Sequence, residues 1–143
     1  MQSLLYNGSM KSLTPTTCPI AFSMEIFGDK WSLIILRDVL FADKSHFREF
    51  LASPEKIASN ILSARLESLV NEGMLTKHRD PANKSAAIYR PTNKTLDLLP
   101  MFIELLRWGN AHNLNADNNP MLLEVLNDPE RSRKRIAEQF VQT

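Results

Sequence analysis

Cysteine is almost missing from this chain of 143 residues, where Cys18 stands alone. One cysteine excludes an internal disulfide framework and a zinc site built from several thiolates. The three histidines, His46, His78 and His112, show no metal-ligand spacing, and no acidic pair or phosphate-binding loop accompanies them. We therefore predict no catalytic residue, no metal site and no cofactor, and we expect that the protein is not an enzyme.

Long apolar runs are missing as well. The longest stretch, Trp31 to Phe41, is interrupted by Ser32, Arg37 and Asp38 and falls far short of the roughly 20 residues that a bilayer span needs. The first residues also lack the basic start and apolar run of a secretory signal. These two absences predict a cytoplasmic protein without a membrane partner.

The charge is small in total but uneven along the chain. The net charge is +1, from 17 basic and 16 acidic residues. The segment from Lys44 to Lys94 holds nine of the bases and five of the acids, which gives it a net charge of +4 and leaves −3 for the rest. A basic middle segment fits phosphate contacts on one face, although solvated surface charge also produces so small an excess.

Helical spacing governs the first half of the chain. The hydroxyl of Thr16 or Thr17 is predicted to cap a first helix, with Pro19 in its first turn. Gly28 ends that helix and Asp29 caps the next. Because the apolar positions from Trp31 to Leu40 cover much of a helical circumference, the second helix is predicted to lie in the centre of the core.

A helix-turn-helix pattern follows. The spacing of Phe47, Phe50 and Leu51 predicts a helix of about two turns that ends before Pro54. A longer helix is predicted from Ser59 to Glu72, with Gly73 in its C-terminal cap. Strands over 74–77 and 86–90, around the turn-rich segment 80–85, predict a hairpin that forms a wing. A helix starting at Thr92 or Asn93, with a kink or a late start at Pro100, and a charged final helix over 129–140 complete the chain.

The helix after Ile57 has the two faces that a recognition helix in the major groove needs. Its apolar face carries Leu62, Leu66 and Leu69, and its opposite face is small and polar. Periodicity alone fits an ordinary surface helix equally well, and a basic hairpin is often a solvated loop; the order of helix, turn, helix and basic hairpin favours DNA. The predicted DNA-binding residues are Ser59, Asn60, Ser63, Ala64 and Arg65 on this helix, with Lys56, Lys77, Arg79, Lys84 and Arg90 around it.

These motifs resemble, in order, those of the HxlR-type winged helix-turn-helix transcriptional regulators of the MarR-like superfamily. The resemblance spans about Cys18 to Gly109, with His46 and Ala58 standing where the family usually has Arg and Ser. The matching pieces are Cys18-Pro19-Ile20, Phe27 to Asp38, Phe47-Arg48-Glu49-Phe50, Ile57, Ile61 to Leu66, Glu72 to Leu75, Tyr89, Leu99-Pro100 and Trp108-Gly109.

The resemblance implies a mainly α fold with a small β-hairpin wing and a homodimer formed through the N- and C-terminal helices. It also implies sequence-specific binding to a pseudo-palindromic operator on double-stranded DNA in a bacterial or archaeal nucleoid. The alternative is a dimeric winged-helix module that binds a ligand or a protein without specific DNA binding.

Cys18, at the start of a helix, is either a redox or electrophile sensor, as in some members of this family, or a small buried apolar residue. A small-molecule or electrophile effector would act through the sensor. The predicted domain division is an N-terminal arm over 1–17, the winged helix-turn-helix domain with its dimerisation helices over 18–112, and a C-terminal helical extension over 113–143.

Overall fold

The computed structural model describes residues 5–6, 9–10, 15–116 and 119–141. The chain divides into two compact units, Met1–Thr92 and Asn93–Thr143, and each is described by itself. The first unit contains β1 (Leu5–Tyr6), β2 (Ser9–Met10), α1 (Pro19–Phe27), α2 (Lys30–Phe41), α3 (Phe47–Leu51), α4 (Ser59–Asn71), β3 (Leu75–Asp80) and β4 (Asn83–Pro91). The second contains α5 (Asn93–Leu96), α6 (Leu99–His112), α7 (Pro120–Asn127) and α8 (Pro129–Val141).

The helix starts of α1 and α2 test the capping predictions. Asp29 caps α2 as predicted, because its carboxylate accepts a hydrogen bond from the Ser32 N–H at 2.9 Å. The prediction of a threonine cap for α1 is wrong, since Cys18 is the N-cap and its Sγ accepts from the Ala21 N–H. The hydroxyl of Thr16 instead accepts a hydrogen bond from the backbone N–H of Cys18 at 3.1 Å, so it contacts the cap residue and not the first turn of the helix.

Helix α2 forms the centre of the first unit, as its wide apolar circumference predicts. It packs against α4 and β4, while α3 packs against α4 and β4 in turn. A core of this kind takes its stability mainly from the apolar surface removed from water, about 25 cal/mol per Å². The buried apolar residues that these elements contribute are Ile35, Leu36, Val39, Leu40, Phe50, Leu62, Leu66, Leu69 and Tyr89, and β3 adds Leu75.

Gly73 ends α4 by turning the backbone into the left-handed region, with φ of +76°. Its N–H donates to the Val70 carbonyl at 3.1 Å, and the Met74 N–H donates to the Leu69 carbonyl at 2.8 Å. This pair of bonds satisfies carbonyls that the helix end would leave free, and a residue with a side chain adopts the required φ only at a cost. The glycine signal in the sequence is therefore confirmed, and the turn sends the chain directly into β3.

The wing is longer than predicted. β3 and β4 pair antiparallel, with Leu75 opposite Pro91 and Lys77 opposite Tyr89, and only two residues separate Asp80 from its partner Asn83. A predicted loop over 80–85 is thus mostly strand, because the tight turn at Pro81 and Ala82 is held by the Asp80 side chain, which accepts from the Ala82 N–H at 2.9 Å. The fold-class prediction, mainly α with a β-hairpin wing after a helix-turn-helix, is confirmed.

In the second unit, a break at Asp97 and Leu98 separates the short α5 from α6. Pro100 occupies the first turn of α6, where a missing N–H costs nothing. Of the two predicted outcomes, a kink or a late start, the structure therefore shows the late start.

Two short paired strands in the first unit, β1 and β2, were not predicted. None of the helices within 15–116 and 119–141 is long and apolar enough to cross a bilayer.

One buried acid connects three segments of the first unit. Asp38, whose side chain is 3% exposed, accepts hydrogen bonds from Arg37 Nε at 3.0 Å and from Ser53 Oγ. Lys44 Nζ lies 3.5 Å from the same carboxylate and donates to Ser53 at 2.7 Å. The carboxylate therefore links the end of α2, the loop before α3 and the turn between α3 and α4.

We expect Asp38→Ala to lower the free energy of unfolding by about 1–3 kcal/mol, because it leaves the buried hydroxyl of Ser53 and the ammonium of Lys44 without their shared carboxylate. Urea denaturation monitored by circular dichroism measures the change. Asp97→Ala, which removes an exposed carboxylate from the break between α5 and α6, is the matched control and should stay within about 0.5 kcal/mol of wild type. Equal stabilities for the two variants would contradict the structural role of Asp38.

Candidate nucleic-acid interface

The first two turns of α4 present a small, polar and accessible face. Ser59, Asn60 and Ser63 are exposed and Ala64 is half-buried. The opposite face is fixed, since Leu62, Leu66 and Leu69 are buried in the core. A helix anchored in this way leaves no bulky side chain across its outer face, which is the shape that a major groove accepts.

The N-terminus of α4 has no side-chain cap. Ala58 is the N-cap residue, and its methyl group cannot accept a hydrogen bond from the first turn. Backbone N–H groups at such a helix start favour an anion, because the helix dipole places partial positive charge there. Because Ala58 has no side-chain acceptor, the backbone N–H groups at this end of α4 lack the hydrogen bond that a serine hydroxyl would accept.

Arg65 is less free than its position in the sequence indicates. Its Nε lies 3.4 Å from Asp29 Oδ2, and Nε is buried without a hydrogen-bond partner among the described residues. Asp29 uses the same oxygen to cap α2. About a third of the Arg65 side chain remains exposed, so the residue both ties α4 to the start of α2 and keeps part of its guanidinium at the surface.

The basic residues of the wing differ in their exposure and in the hollow that they line. Lys77, Arg79 and Lys84 are exposed and line a hollow of about 300 Å³ on the hairpin. Arg90, opposite Thr76, lies near the base of the hairpin and is half-buried. Lys56 is exposed in the turn before α4, with φ of +60°. Three of the five cations predicted around α4 therefore line one hollow, which Lys56 and Arg90 do not line.

Contacts that the sequence analysis did not predict fasten the wing to the start of α3. His46 Nε2 lies 2.9 Å from Asp80 Oδ2, and the Tyr89 N–H donates to the Ser45 carbonyl at 2.8 Å. Glu49 accepts from the backbone N–H groups of Ser45 and His46 at 2.8 and 2.9 Å. The segment before α3 also pairs with β4 through a single antiparallel bridge between His46 and Ile88.

Hydrogen bonds lower the pKa of both acids in this connection. The backbone N–H of Ser45, followed by that of His46, lowers the pKa of Glu49 below its usual value. The His46 side chain is the largest cause of the lowered pKa of Asp80, and the Ala82 N–H adds to it. A glutamate three residues after a helix start is a capping signal that was available in the sequence, whereas the partner of His46 lies 34 residues away and leaves no local signal.

Cys18 is an exposed free cysteine. Its Sγ accepts from the Ala21 N–H at 3.5 Å, and this is its role as the cap of α1. The hypothesis that Cys18 is a small buried apolar residue is therefore wrong. Exposure leaves the thiol accessible to reagents in solution, and whether it senses them stays a prediction.

Comparison with known proteins assigns the family. The family model described as HxlR-like helix-turn-helix matches residues 26–117, which include α2, α3, α4, the wing and α6. The chain belongs to the HxlR-like helix-turn-helix family. It is 27% identical over 104 residues to BH0655 of Halalkalibacterium halodurans, named an HTH-type transcriptional regulator, and the match covers 73% of this chain and 90% of that one.

Solved structures show the same fold. The crystal structure of PA1607, provisionally described as a transcription factor, is 34% identical, with a TM-score of 0.63 over 72% of this chain and 70% of that one. The redox regulator HypR in its oxidised form is 24% identical, with a TM-score of 0.58 over 70% of this chain and 99% of that one. At that identity the likeness to HypR concerns the fold. The HxlR-type resemblance read from the sequence motifs is thus confirmed.

Proposed function

We propose that this HxlR-family transcriptional regulator acts as a homodimer that binds a pseudo-palindromic operator, with α4 in the major groove. The observation that carries the proposal is the exposed polar face of the first two turns of α4, anchored from behind by three buried leucines and followed by a basic wing. No enzyme activity is proposed. The predicted site residues, the domain division and the cytoplasmic location stay predictions.

Each group of cations and polar residues has a distinct task in this proposal. Asn60 has the amide that pairs with an adenine edge, and Ser63 bonds to a base or a phosphate. Ser59 and the free N–H groups behind Ala58 receive a phosphate at the helix start. Lys77, Arg79 and Lys84 follow the backbone beside the wing, and the accessible part of Arg65 takes a phosphate or a guanine.

We expect selection of bound fragments from genomic DNA to enrich one inverted-repeat site, and Asn60→Ala to weaken binding to that site by about 1–3 kcal/mol per half-site, with relaxed choice at one base position in each half-site. Lys84→Ala should weaken binding to all sequences and reduce the salt slope by about two per dimer, because each of the two protomers loses one phosphate contact. Titrations against salt on the selected site and on unrelated DNA measure both effects.

Lys134→Ala, which removes an exposed cation from α8, is the control and should leave affinity and salt slope unchanged. Failure of any sequence to be enriched, under reducing or oxidising conditions, would overturn the proposal. That result would favour the alternative of a winged-helix module that binds a ligand or a protein.

Helices α1 and α6 carry exposed apolar side chains that fit a dimer interface. On α1, Ile20 is 73% exposed and Phe22 and Met24 are about half exposed. On α6, Leu105 and Trp108, the latter 66% exposed, line a hollow together with Met101 and His112 at helical spacing. Exposed apolar stripes of this kind mark interaction sites, and a second copy of the chain has the same stripes to offer. Two-fold symmetry would then place two copies of α4 about one turn of DNA apart, roughly 34 Å.

We expect Trp108→Glu to raise the dimer dissociation constant by at least about thirtyfold, since a buried aromatic anchor commonly contributes about 2 kcal/mol or more. Sedimentation velocity over a range of concentrations measures the change. Leu114→Glu introduces the same charge at a fully exposed leucine beyond α6 and should leave the dimer intact. The dimer proposal fails if the wild type sediments as a monomer or if both variants behave alike.

Redox sensing at Cys18 is the finer part of the proposal. Oxidation by a diazene such as diamide would take two electrons and two protons from two thiols and form a disulfide, either between the Cys18 residues of two chains or between Cys18 and a small thiol. The exposure of the thiol at the start of α1 supports this step, because the oxidant can reach it.

We expect diamide to change operator affinity of the wild type by at least about fivefold and to leave Cys18→Ser unaffected. Serine keeps a side-chain cap on α1, so the variant removes the thiol while preserving the helix start. Binding titrations before and after diamide, with dithiothreitol to reverse the effect, are the measurement. If the two proteins respond identically to diamide, Cys18 is a helix cap and not a sensor.

A further inference from the structure

A cavity of about 580 Å³ lies between the start of α3 and the wing. Its volume falls within the range of roughly 300–1,000 Å³ that holds small molecules. Phe47 on α3 and Ala86, Ala87 and Tyr89 on β4 provide an apolar lining. Tyr89 is itself anchored from behind by an edge-to-face contact with Phe50, whose ring centroid lies 6.4 Å away.

Two cations line the same cavity. Arg48 comes from α3 and Lys77 from β3, where it stands opposite Tyr89 in the hairpin register. Among the described residues neither side chain makes an ion pair or a hydrogen bond, while the carboxylate of Asp80 is already engaged by His46 and by the Ala82 N–H. The cavity therefore combines apolar walls with two cations that form no ion pair among the described residues, and its one carboxylate, Asp80, is held by His46.

The walls are held in place without a ligand. The hydrogen bond between His46 and Asp80 joins the two sides, and the bond from Tyr89 N–H to the Ser45 carbonyl fixes β4 to the segment before α3. A pre-formed cavity spares a ligand the cost of ordering the site. A DNA phosphodiester would satisfy the cations but not the alanine and aromatic walls, whereas an aromatic ring with one carboxylate matches both.

We propose that this cavity binds a small aromatic carboxylate, with the ring against Phe47, Ala87 and Tyr89 and the carboxylate between Arg48 and Lys77. An anion in this position sits between the first helix of the helix-turn-helix and the wing. The site goes beyond DNA binding, and it is tested on the protein without DNA, so failure of operator binding and failure of this site are separate results.

The probes are 2-naphthoate and its neutral counterpart 2-naphthamide, added to the full chain and followed by calorimetry and by ¹H–¹⁵N correlation spectra. We expect one 2-naphthoate per chain, with the largest amide shifts at Phe47, Ala86 and Ala87, and at least tenfold weaker binding of 2-naphthamide. Arg48→Ala and Lys77→Ala should each weaken 2-naphthoate by about fivefold or more. Ala87→Leu should weaken 2-naphthoate by at least about tenfold, because the longer side chain takes the place of the ring beside Phe47 and Tyr89 while both cations remain.

Lys84→Ala is the matched control, because it removes a wing cation that does not line this cavity. It should bind 2-naphthoate as the wild type does, and Arg48→Ala, at an exposed position on α3, should keep the thermal stability of the wild type. The proposal is overturned if 2-naphthamide binds as tightly as 2-naphthoate, if Lys84→Ala loses as much affinity as Lys77→Ala, or if the shifted amides lie elsewhere. It is equally overturned if a short DNA duplex shifts the cavity amides and 2-naphthoate does not.

Discussion

The buried carboxylate of Asp38 is the constraint on which the first unit depends. A charge so far from water is stable only when its oxygens are fully engaged, and here the donors come from α2 itself, from the loop before α3 and from the turn before α4. Arg37 extends the network, because its guanidinium also forms two hydrogen bonds with Glu55. That contact is the largest cause of the raised pKa of Arg37 and of the lowered pKa of Glu55, so both groups stay charged. The turn of the helix-turn-helix is fixed in this way to the central helix.

Helix α3 is stabilised by tertiary contacts and not by its own sequence. At five residues it is too short to persist alone, since a helix pays for its first turn before further residues add hydrogen bonds. Its far end is held by the network around Asp38 and its near end by Glu49, His46 and the pairing with β4. The two elements proposed to reach DNA, α4 and the wing, are therefore positioned from the two ends of one short helix. The proposed carboxylate cavity lies at the second of these ends.

Local chemistry in the sequence predicted much of this architecture. Pro19, Asp29 and Gly73 mark helix boundaries because proline, carboxylate and glycine act on the backbone beside them. Features that depend on a partner far away in the sequence were not predicted. The length of the wing depends on pairing between strands, and the bond from His46 to Asp80 spans 34 residues. Likewise Arg65 has the spacing of a free surface cation, yet Asp29 lies against its Nε.

The order of the elements from α1 to β4, the buried stripe of α4 and the basic character of the wing follow from the sequence alone, because periodicity and charge are properties of neighbouring residues. The sequence also carried the motifs that assign the chain to its family. Which polar groups are occupied is visible only in the folded chain: Arg65, His46 and Asp80 are engaged, whereas Arg48 and Lys77 line a largely apolar cavity and form no ion pair among the described residues. The physical reason is that a hydrogen bond or ion pair needs two groups within about 3–4 Å, and folding alone brings distant residues that close.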